Sequence, residues 1–422
     1  MAEKAAEATP WYKKLNLASW ILIGMVLGII VGLLFLGNPE FTTKYIKPFG
    51  TIFVNLLKFI VVPIVLLSLI TGMISMGDIK KVGSLGWKTI VYYLCTTLVA
   101  IIIGILVGSI FKGLFPVLDT SDAVYEAKSA NFMDTIVNVF PSNMWSSFVN
   151  GNMLQVIVIA LLIGAAILVV GKKAEPFAKI CESANAVFNK IMMFIIYCSP
   201  IGVFCLMCNT VAVNGPDVVG SLALVILVCF LAYLIHMIVV YSTLVKTMGH
   251  LSPLTFFKEM IPAMVFAFTS TSSVATLPLT KECSEKLGAS EEYTSFTLPL
   301  GATINMDGTA IYMGVCTIFI AACYGISLPL SAIIMVAVTA TLASIGTAGV
   351  SGAGVIMLAM VLESVGLPVE GIALVLGVDK IFDMGRTTLN ILGDATCAVI
   401  LSRIEDRKYA KKEGKTIEAK AE

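Results

Sequence analysis

Apolar residues in this chain come in long blocks, not in strict alternation or on one helical face. Windows of about 19 residues mark apolar runs near 17–36, 47–76, 87–112, 153–170, 187–209 and 218–245. A helix needs about 20 apolar residues to cross a bilayer's hydrocarbon core, so each run predicts a membrane span. Residues 114–150 fit no such template: an acidic stretch (Asp119, Asp122, Glu126, Asp134) precedes a semi-apolar piece. From Leu251 the pattern changes, and Ser, Thr, Gly and Asn interrupt the apolar runs. Two segments stand out, Thr269–Pro278 and Ala343–Gly354. The apolar stretches beside each are too short to span but suit a hairpin that enters and returns. Non-helical backbone at membrane depth is tolerated only where it is buried or lines a cavity. Two such segments in corresponding positions, each followed by a further span, predict an internal repeat and a binding site of the transporter kind. Two extramembrane loops rich in small residues are the alternative.

Composition agrees. The chain has 422 residues, of which 58% are hydrophobic and only 13% charged, against roughly 25% charged in a soluble domain. With a mean hydropathy of +0.95, the solvent has to be lipid. The net charge of +1 says nothing about partners, and no basic tract with interleaved aromatics points to nucleic acid. Basic residues gather at Lys13 and Lys14, at Lys80 and Lys81, at Lys172 and Lys173, and in the tail at Arg403, Arg407, Lys408, Lys411 and Lys412. The positive-inside rule then places both termini in the cytoplasm of a cell membrane and asks for an even number of spans, eight. Lys13 and Lys14 precede a run long enough to span, with no small-residue cleavage site after it. The start therefore reads as a span and not as a cleaved signal peptide. Cys205 and Cys208 form a CxxC inside an apolar run and read as packing residues. His236 and His250 have no partner at ligand spacing, and His236 reads as a helix-packing residue.

The strongest chemical pattern lies between Asp379 and Asp394. On a helix at about 100° per residue, measured from Asp383, Asp379 falls near −40°, Arg386 near −60°, Asn390 near −20° and Asp394 near +20°. One narrow face thus carries three carboxylates, a guanidinium and an amide. Ionised groups in lipid are expensive, so this face must look into protein, water or ligand. Arg386 cancels one aspartate and leaves two negative charges, which co-bound cations would neutralise. A purely structural network is the other reading. A second pattern, Asn305-Met-Asp-Gly-Thr309, splits an apolar stretch in two. Gly308 and the Asn/Asp pair favour an unwound turn, whose carbonyls with the Asp307 carboxylate are hard oxygen ligands for a small alkali cation. A kink with a hydrogen-bonded Asp307 is the alternative. Tyr93, Thr96 and Thr97 sit in the third run. Threonines in membrane helices usually bond their own backbone.

At these residues the sequence resembles the glutamate/aspartate and dicarboxylate–cation symporters, solute carrier family 1 in its animal branch. The likeness is carried by Asn305–Thr309, by Asp-Met-Gly-Arg-Thr from Asp383, by Ser-Ile-Gly-Thr-Ala-Gly from Ser344 and by Leu57-Lys-Phe-Ile-Val-Val-Pro63. It runs from about residue 17 to 404. The resemblance implies an all-α polytopic membrane protein with eight transmembrane helices, two re-entrant helical hairpins and inverted repeats. Residues 17–250 would be mainly scaffold and trimer interface, with the third and sixth spans on the moving part. Residues 251–404 would form a transport core that moves like an elevator, between a cytoplasmic segment 1–16 and a cytoplasmic tail 405–422. The implied product is a homotrimer that carries a small acidic amino acid with sodium ions, and not an enzyme. For the substrate, the resemblance implies that Arg386 clamps the side-chain carboxylate, with Thr309 and the backbone of Gly354. Asp383 and Thr387 would hold the amino group, with carbonyls near Thr271 and Val350. Ser273 and Asn390, beside Ser272, would hold the α-carboxylate. A planar guanidinium suits a carboxylate bidentately. For sodium, it implies one site from Asp394 with carbonyls of Gly301, Asn305 and Asn390. A second would use Asp307, Asn305, Thr96, Thr97 and the Tyr93 carbonyl. A third would use carbonyls of Thr303, Ser344, Ile345 and Thr347 beside Met306.

Some positions depart from the family's pattern. Members usually carry an arginine on the first hairpin tip or just after the aspartate of the last helix. Here those positions are Thr271 and Met384, both neutral, which leaves Asp383 without that cation. Met313 stands where the animal branch has a glutamate linked to proton coupling. Ser351 stands where many prokaryotic members have proline. Among competing functions, a four-carbon dicarboxylate has no ammonium for Asp383, and a neutral amino acid leaves Arg386 without an anionic partner. An ion channel needs a continuous pore, which two occluding tips do not suggest. No Ser/His/Asp triad, zinc motif or phosphate loop points to a membrane enzyme.

Overall fold

The computed structural model describes residues 17–75, 84–118, 137, 140–215, 217–344 and 353–413. Every regular element among them is helical. In chain order the main helices are α1 (Leu17–Leu34), α2 (Lys47–Ser75), α3 (Ser84–Phe111), α4 (Met153–Val170), α5 (Glu175–Tyr197) and α6 (Ser199–Asn214). Then follow α7 (Asp217–Ile235), α8 (Pro253–Ser270), α9 (Ser273–Lys286), α10 (Glu291–Ile304) and α11 (Asp307–Cys323). The chain closes with α12 (Leu330–Ser344), α13 (Ala353–Ser364), α14 (Ile372–Leu376) and α15 (Asp379–Glu413).

The apolar runs become these helices, with one correction. The run near 187–209 is not one continuous helix, because the helix is interrupted at Cys198 between α5 and α6. Pro200 opens α6 near its N-terminus, where its missing N–H costs nothing. A hydropathy window averages across that break, and it starts late because the first half of α5 is polar. After α7 the helix widens into a π-turn, His236–Tyr241, before Ser242–Thr247 resumes α geometry.

Five helical stretches among the described residues are long and apolar enough to cross a membrane, with shorter apolar helices at Ser19–Leu34, Ser199–Asn214, Leu330–Ala343 and Gly354–Ser364. The five differ in what surrounds them. The most apolar window of Glu291–Cys323 is entirely buried, whereas only 33% of the corresponding windows in Gln155–Tyr197 and Gly220–Thr247 is buried. Glu291–Cys323 is therefore the central element, and the outer helices face the surroundings with large apolar side chains. Leu34, Ile110 and Val169 are each more than 75% exposed. Such positions are costly in water and ordinary in lipid.

The helices meet through small residues. Gly24, Gly28 and Gly32 repeat every fourth position on α1 and lie against the backbone of Pro200, Phe204 and Cys208 on α6. Where lipid removes the hydrophobic drive between helices, such close approach supplies packing instead. A side chain at Gly28 would overlap the Phe204 carbonyl. Gly28→Val is expected to force α1 from α6 and lower stability by about 1–3 kcal/mol. Thermal unfolding in detergent reads this as a midpoint several degrees lower. Gly104 and Gly108 of α3 likewise abut Ile311 and Val315 of α11. Cys205 and Cys208 are buried free thiols in the α6 core, as the apolar context predicts.

The second half contains two helix pairs. Helices α8 and α9 pack together and are joined by Thr271 and Ser272; α12 and α13 also pack together. The break lies inside the predicted segment 269–278, and Pro278 sits within α9. Val350, Ile345, Thr347 and Ser351 lie outside the described residues.

Candidate functional site

Helix α15 carries the predicted polar face as one uninterrupted helix, and Asp379, Asp383, Arg386, Thr387, Asn390 and Asp394 are all buried. Arg386 is 2% exposed. Its Nη1 and Nη2 donate to the two carboxylate oxygens of Asp379 at 3.0 and 3.2 Å, and its Nε donates to Asp383 Oδ1 at 2.9 Å. The guanidinium carbon lies 4.8 Å from the centre of the Tyr312 ring. A planar fork held by two carboxylates and an aromatic face has fixed geometry. The three charged groups of this cluster still sum to a negative charge. Gly354, near the start of α13, leaves the room the guanidinium occupies, because a methyl there would overlap it. Gly354→Val is therefore expected to displace Arg386 and weaken binding of an anionic ligand by about tenfold or more. Equilibrium binding to the purified protein measures this.

The unwound turn is present. Helix α10 ends at Ile304, α11 begins at Asp307, and Asn305 and Met306 between them have non-helical backbone. Asn390 on α15 stitches the turn in place: its Oδ1 accepts from the Gly308 N–H at 2.8 Å, and its Nδ2 donates to Met306 Sδ at 3.3 Å. Gly308 is required there, since any side chain would strike the Arg386 backbone. Thr309 is buried, and its hydroxyl faces Met306 Sδ at 3.7 Å.

Two oxygen clusters flank the turn. In the first, Asn305 Nδ2 donates to Asp394 Oδ1 and to the Asn390 carbonyl, both at 2.9 Å. Gly301 lies against the Asp394 carboxylate. Asn305 Oδ1 is buried and has no hydrogen-bond partner among the described residues. In the second, Asp307 Oδ1 accepts from the Thr97 hydroxyl at 2.7 Å, and Oδ2 accepts from the Tyr241 hydroxyl at 2.7 Å, with His236 Nε2 3.3 Å away. Thr96 follows the ordinary habit of a membrane threonine, donating to the Tyr93 carbonyl at 3.2 Å. The Tyr93 hydroxyl donates to the Thr297 carbonyl. Thr303 donates to the Leu300 carbonyl, and Ser344 ends α12.

The first helix-pair turn adjoins α15. Thr271 and Ser273 are buried. Ser272 serves as the N-cap of α9, its hydroxyl accepting from the Ala275 N–H at 3.2 Å. Thr271 has a left-handed backbone, φ 52°, and its hydroxyl accepts a hydrogen bond from the Lys380 ammonium.

Sequence reasoning missed Tyr241, Tyr312 and Lys380 at the site. It also read His236 as a packing residue, whereas the imidazole faces Asp307. The π-turn that aims His236 and Tyr241 inward has no hydropathy signature. Tyr312 follows Thr309 by three positions, one helical turn, and that spacing could have suggested it.

The chain has named relatives. The family model described as the sodium:dicarboxylate symporter family matches residues 17–404. The chain is similar to a proton/sodium-glutamate symport protein of Geobacillus stearothermophilus, 36% identical over 417 residues that cover 96% of this chain and 97% of the relative. It is similar to the proton/glutamate-aspartate symporter of Escherichia coli, 34% identical over 94% of this chain and 95% of the relative. It is also 30% identical to a C4-dicarboxylate transport protein of Bacillus subtilis, over 96% of each chain. With its unwound Asn305–Met306 turn and buried Asp379–Arg386–Asp383 cluster inside a full-length match, the chain belongs to the sodium:dicarboxylate symporter family.

Proposed function

We propose that this protein is a secondary active transporter that carries aspartate or glutamate across a cell membrane together with sodium ions. The observation that carries the reading is the buried Arg386 guanidinium, held in fork geometry by Asp379 and Asp383 at the start of α13. A substrate carboxylate replaces an internal one on Arg386, and Asp383, so released, takes the substrate's ammonium with Thr387. Thr309 and the Gly354 backbone complete the side-chain pocket; Ser273 and Asn390 take the α-carboxylate. The names of the relatives, glutamate and glutamate-aspartate symporters, support this substrate class.

Sodium is cargo. The buried, unpartnered Asn305 Oδ1 beside Asp394, with the Gly301 and Asn390 carbonyls close by, is an oxygen-rich position that suits a hard cation. Asp307 with Thr97 is the second. The third, from carbonyls of Thr303, Ser344, Ile345 and Thr347, is proposed from the family likeness. The same likeness supports eight spans, two re-entrant pairs (α8–α9 and α12–α13), cytoplasmic termini, a scaffold over 17–250, a moving core over 251–404 and a homotrimer. The packing of α3 along α11 agrees with its travelling with the core.

Four-carbon dicarboxylates are a second reading, supported by relatives that carry that name. Asp383 weighs against it, because a dianion brings it no ammonium. The test is uptake of labelled aspartate, glutamate and succinate into sealed proteoliposomes, with an inward sodium gradient and without one. Sodium-dependent accumulation of the amino acids is expected. Uptake driven by a proton gradient alone, in sodium-free buffer, would overturn the coupling assignment.

A further inference from the structure

We propose that Lys380 is a positioning residue of the substrate site: in the empty carrier its ammonium holds the first helix-pair turn at Thr271, and an amino-acid substrate binds by displacing it. This inference rests on the amino-acid reading above.

Measured from Asp383, Lys380 falls near +60° and Arg386 near −60°, with Thr387 near +40° on the flank of Lys380. Asp383 therefore stands between two cations on one helical face. The structure shows what each cation does. Arg386 engages Asp379 and Asp383, while Lys380 Nζ reaches away from α15 and donates to Thr271 Oγ1. The Thr271 hydroxyl in turn donates to the Ser270 carbonyl at 2.7 Å, so Lys380 ties the last helix to the residue at which α8 ends.

Two features make this tie consequential. Thr271 has a positive φ, which a β-branched residue adopts only where its surroundings hold it. Lys380 also lines, with Asp379, a cavity of about 270 Å³ whose other walls include Leu57, Phe53, Val355 and Ile356. An ammonium beside so much apolar surface needs a partner. Asp379, Asp383 and Arg386 together leave one negative charge, and Lys380 balances it. The cation that neither Thr271 nor Met384 supplies thus comes from one turn before Met384.

The substrate's own ammonium is bound, on the reading above, by Asp383 and the carbonyls around Thr271. It must enter a region whose surplus negative charge Lys380 already offsets. Removing the lysine charge removes that competitor, so the apparent KM for aspartate should fall roughly three- to tenfold. The empty site then keeps an unbalanced charge, so its return across the membrane should slow and kcat should fall with KM. A succinate dianion carries no ammonium and loses a nearby cation, so its inhibition constant should rise.

The experiment uses the full chain in proteoliposomes and measures initial rates of labelled aspartate uptake, with succinate as inhibitor. Lys380→Met should lower KM and kcat together and weaken succinate. Lys380→Arg should stay near wild type. Thr271→Ala, which keeps every charge and frees the lysine, should shift KM in the same direction, and the double variant should add little to Lys380→Met. A purely structural tie predicts a raised KM in Lys380→Met and no rescue by arginine. That result, or an unchanged KM in both Lys380→Met and Thr271→Ala, overturns the proposal alone. A wild-type protein that accumulates neither aspartate nor glutamate overturns the functional reading, and this inference with it.

Discussion

Arg386→Thr is expected to abolish binding of aspartate and glutamate. The guanidinium is 2% exposed and makes three charge-assisted hydrogen bonds to Asp379 and Asp383. Among the described residues, removing it takes away the one cation besides Lys380 that the proposed site offers a side-chain carboxylate. It also takes the guanidinium away from two buried carboxylates, Asp379 and Asp383. Removing one partner of a buried ion pair costs about 3–5 kcal/mol, so affinity should fall at least about a hundredfold. On the proposed reading the substrate's ammonium still finds Asp383, so a small neutral amino acid such as serine or alanine gains a place. Isothermal calorimetry with aspartate, glutamate and serine, in saturating sodium, checks both halves. Unchanged affinity for the acidic amino acids would end the assignment of Arg386.

Asp394→Asn should have the second largest effect, and it should appear in sodium. Asp394 accepts from Asn305 Nδ2 at 2.9 Å, near the unpartnered Asn305 Oδ1 and the Asn390 carbonyl. This is a pocket of oxygens with one formal charge. An amide in place of the carboxylate removes that charge and points N–H donors at the proposed cation position. Loss of a buried charge partner costs about 2–5 kcal/mol, so half-saturating sodium should rise by about two orders of magnitude. Substrate binding is coupled to the ion, so aspartate affinity measured at fixed sodium should fall with it and recover as sodium is raised. Titrating sodium against aspartate binding in wild type and Asp394→Asn provides the measurement. A sodium dependence that matches wild type would remove Asp394 from the cation site.

The elements most legible in the chain were those that local pattern encodes. Block-like apolar runs predicted helices in a lipid solvent, and the break at Asn305–Met306 followed from Asn, Asp and Gly in an apolar stretch. The crowding of Asp379, Asp383, Arg386, Asn390 and Asp394 on one face followed from 3.6-residue periodicity alone, and α15 carries it without interruption. Family motifs then attached roles to those positions. The break at Cys198 escaped, because hydropathy averages over a proline-led restart inside continuous apolar sequence.

Tertiary packing decided the rest. Thr97 meets Asp307 across 210 positions, Tyr241 meets Asp307 across 66, and Lys380 meets Thr271 across 109. No periodicity relates such residues, so their pairing depends on how α3, α7 and α15 pack on the buried α11 and how α8 packs on α15. Packing also chose between readings the sequence left open. Thr97 turned to a carboxylate while Thr96 turned to its own backbone. Gly354 and Gly308 proved to be spaces kept clear for Arg386, and Gly24, Gly28 and Gly32 a seam against α6. In lipid, burying apolar surface does not by itself bring helices together. Close approach and satisfied polar groups do. Those depend on which residues face each other, and the linear order of residues does not state that.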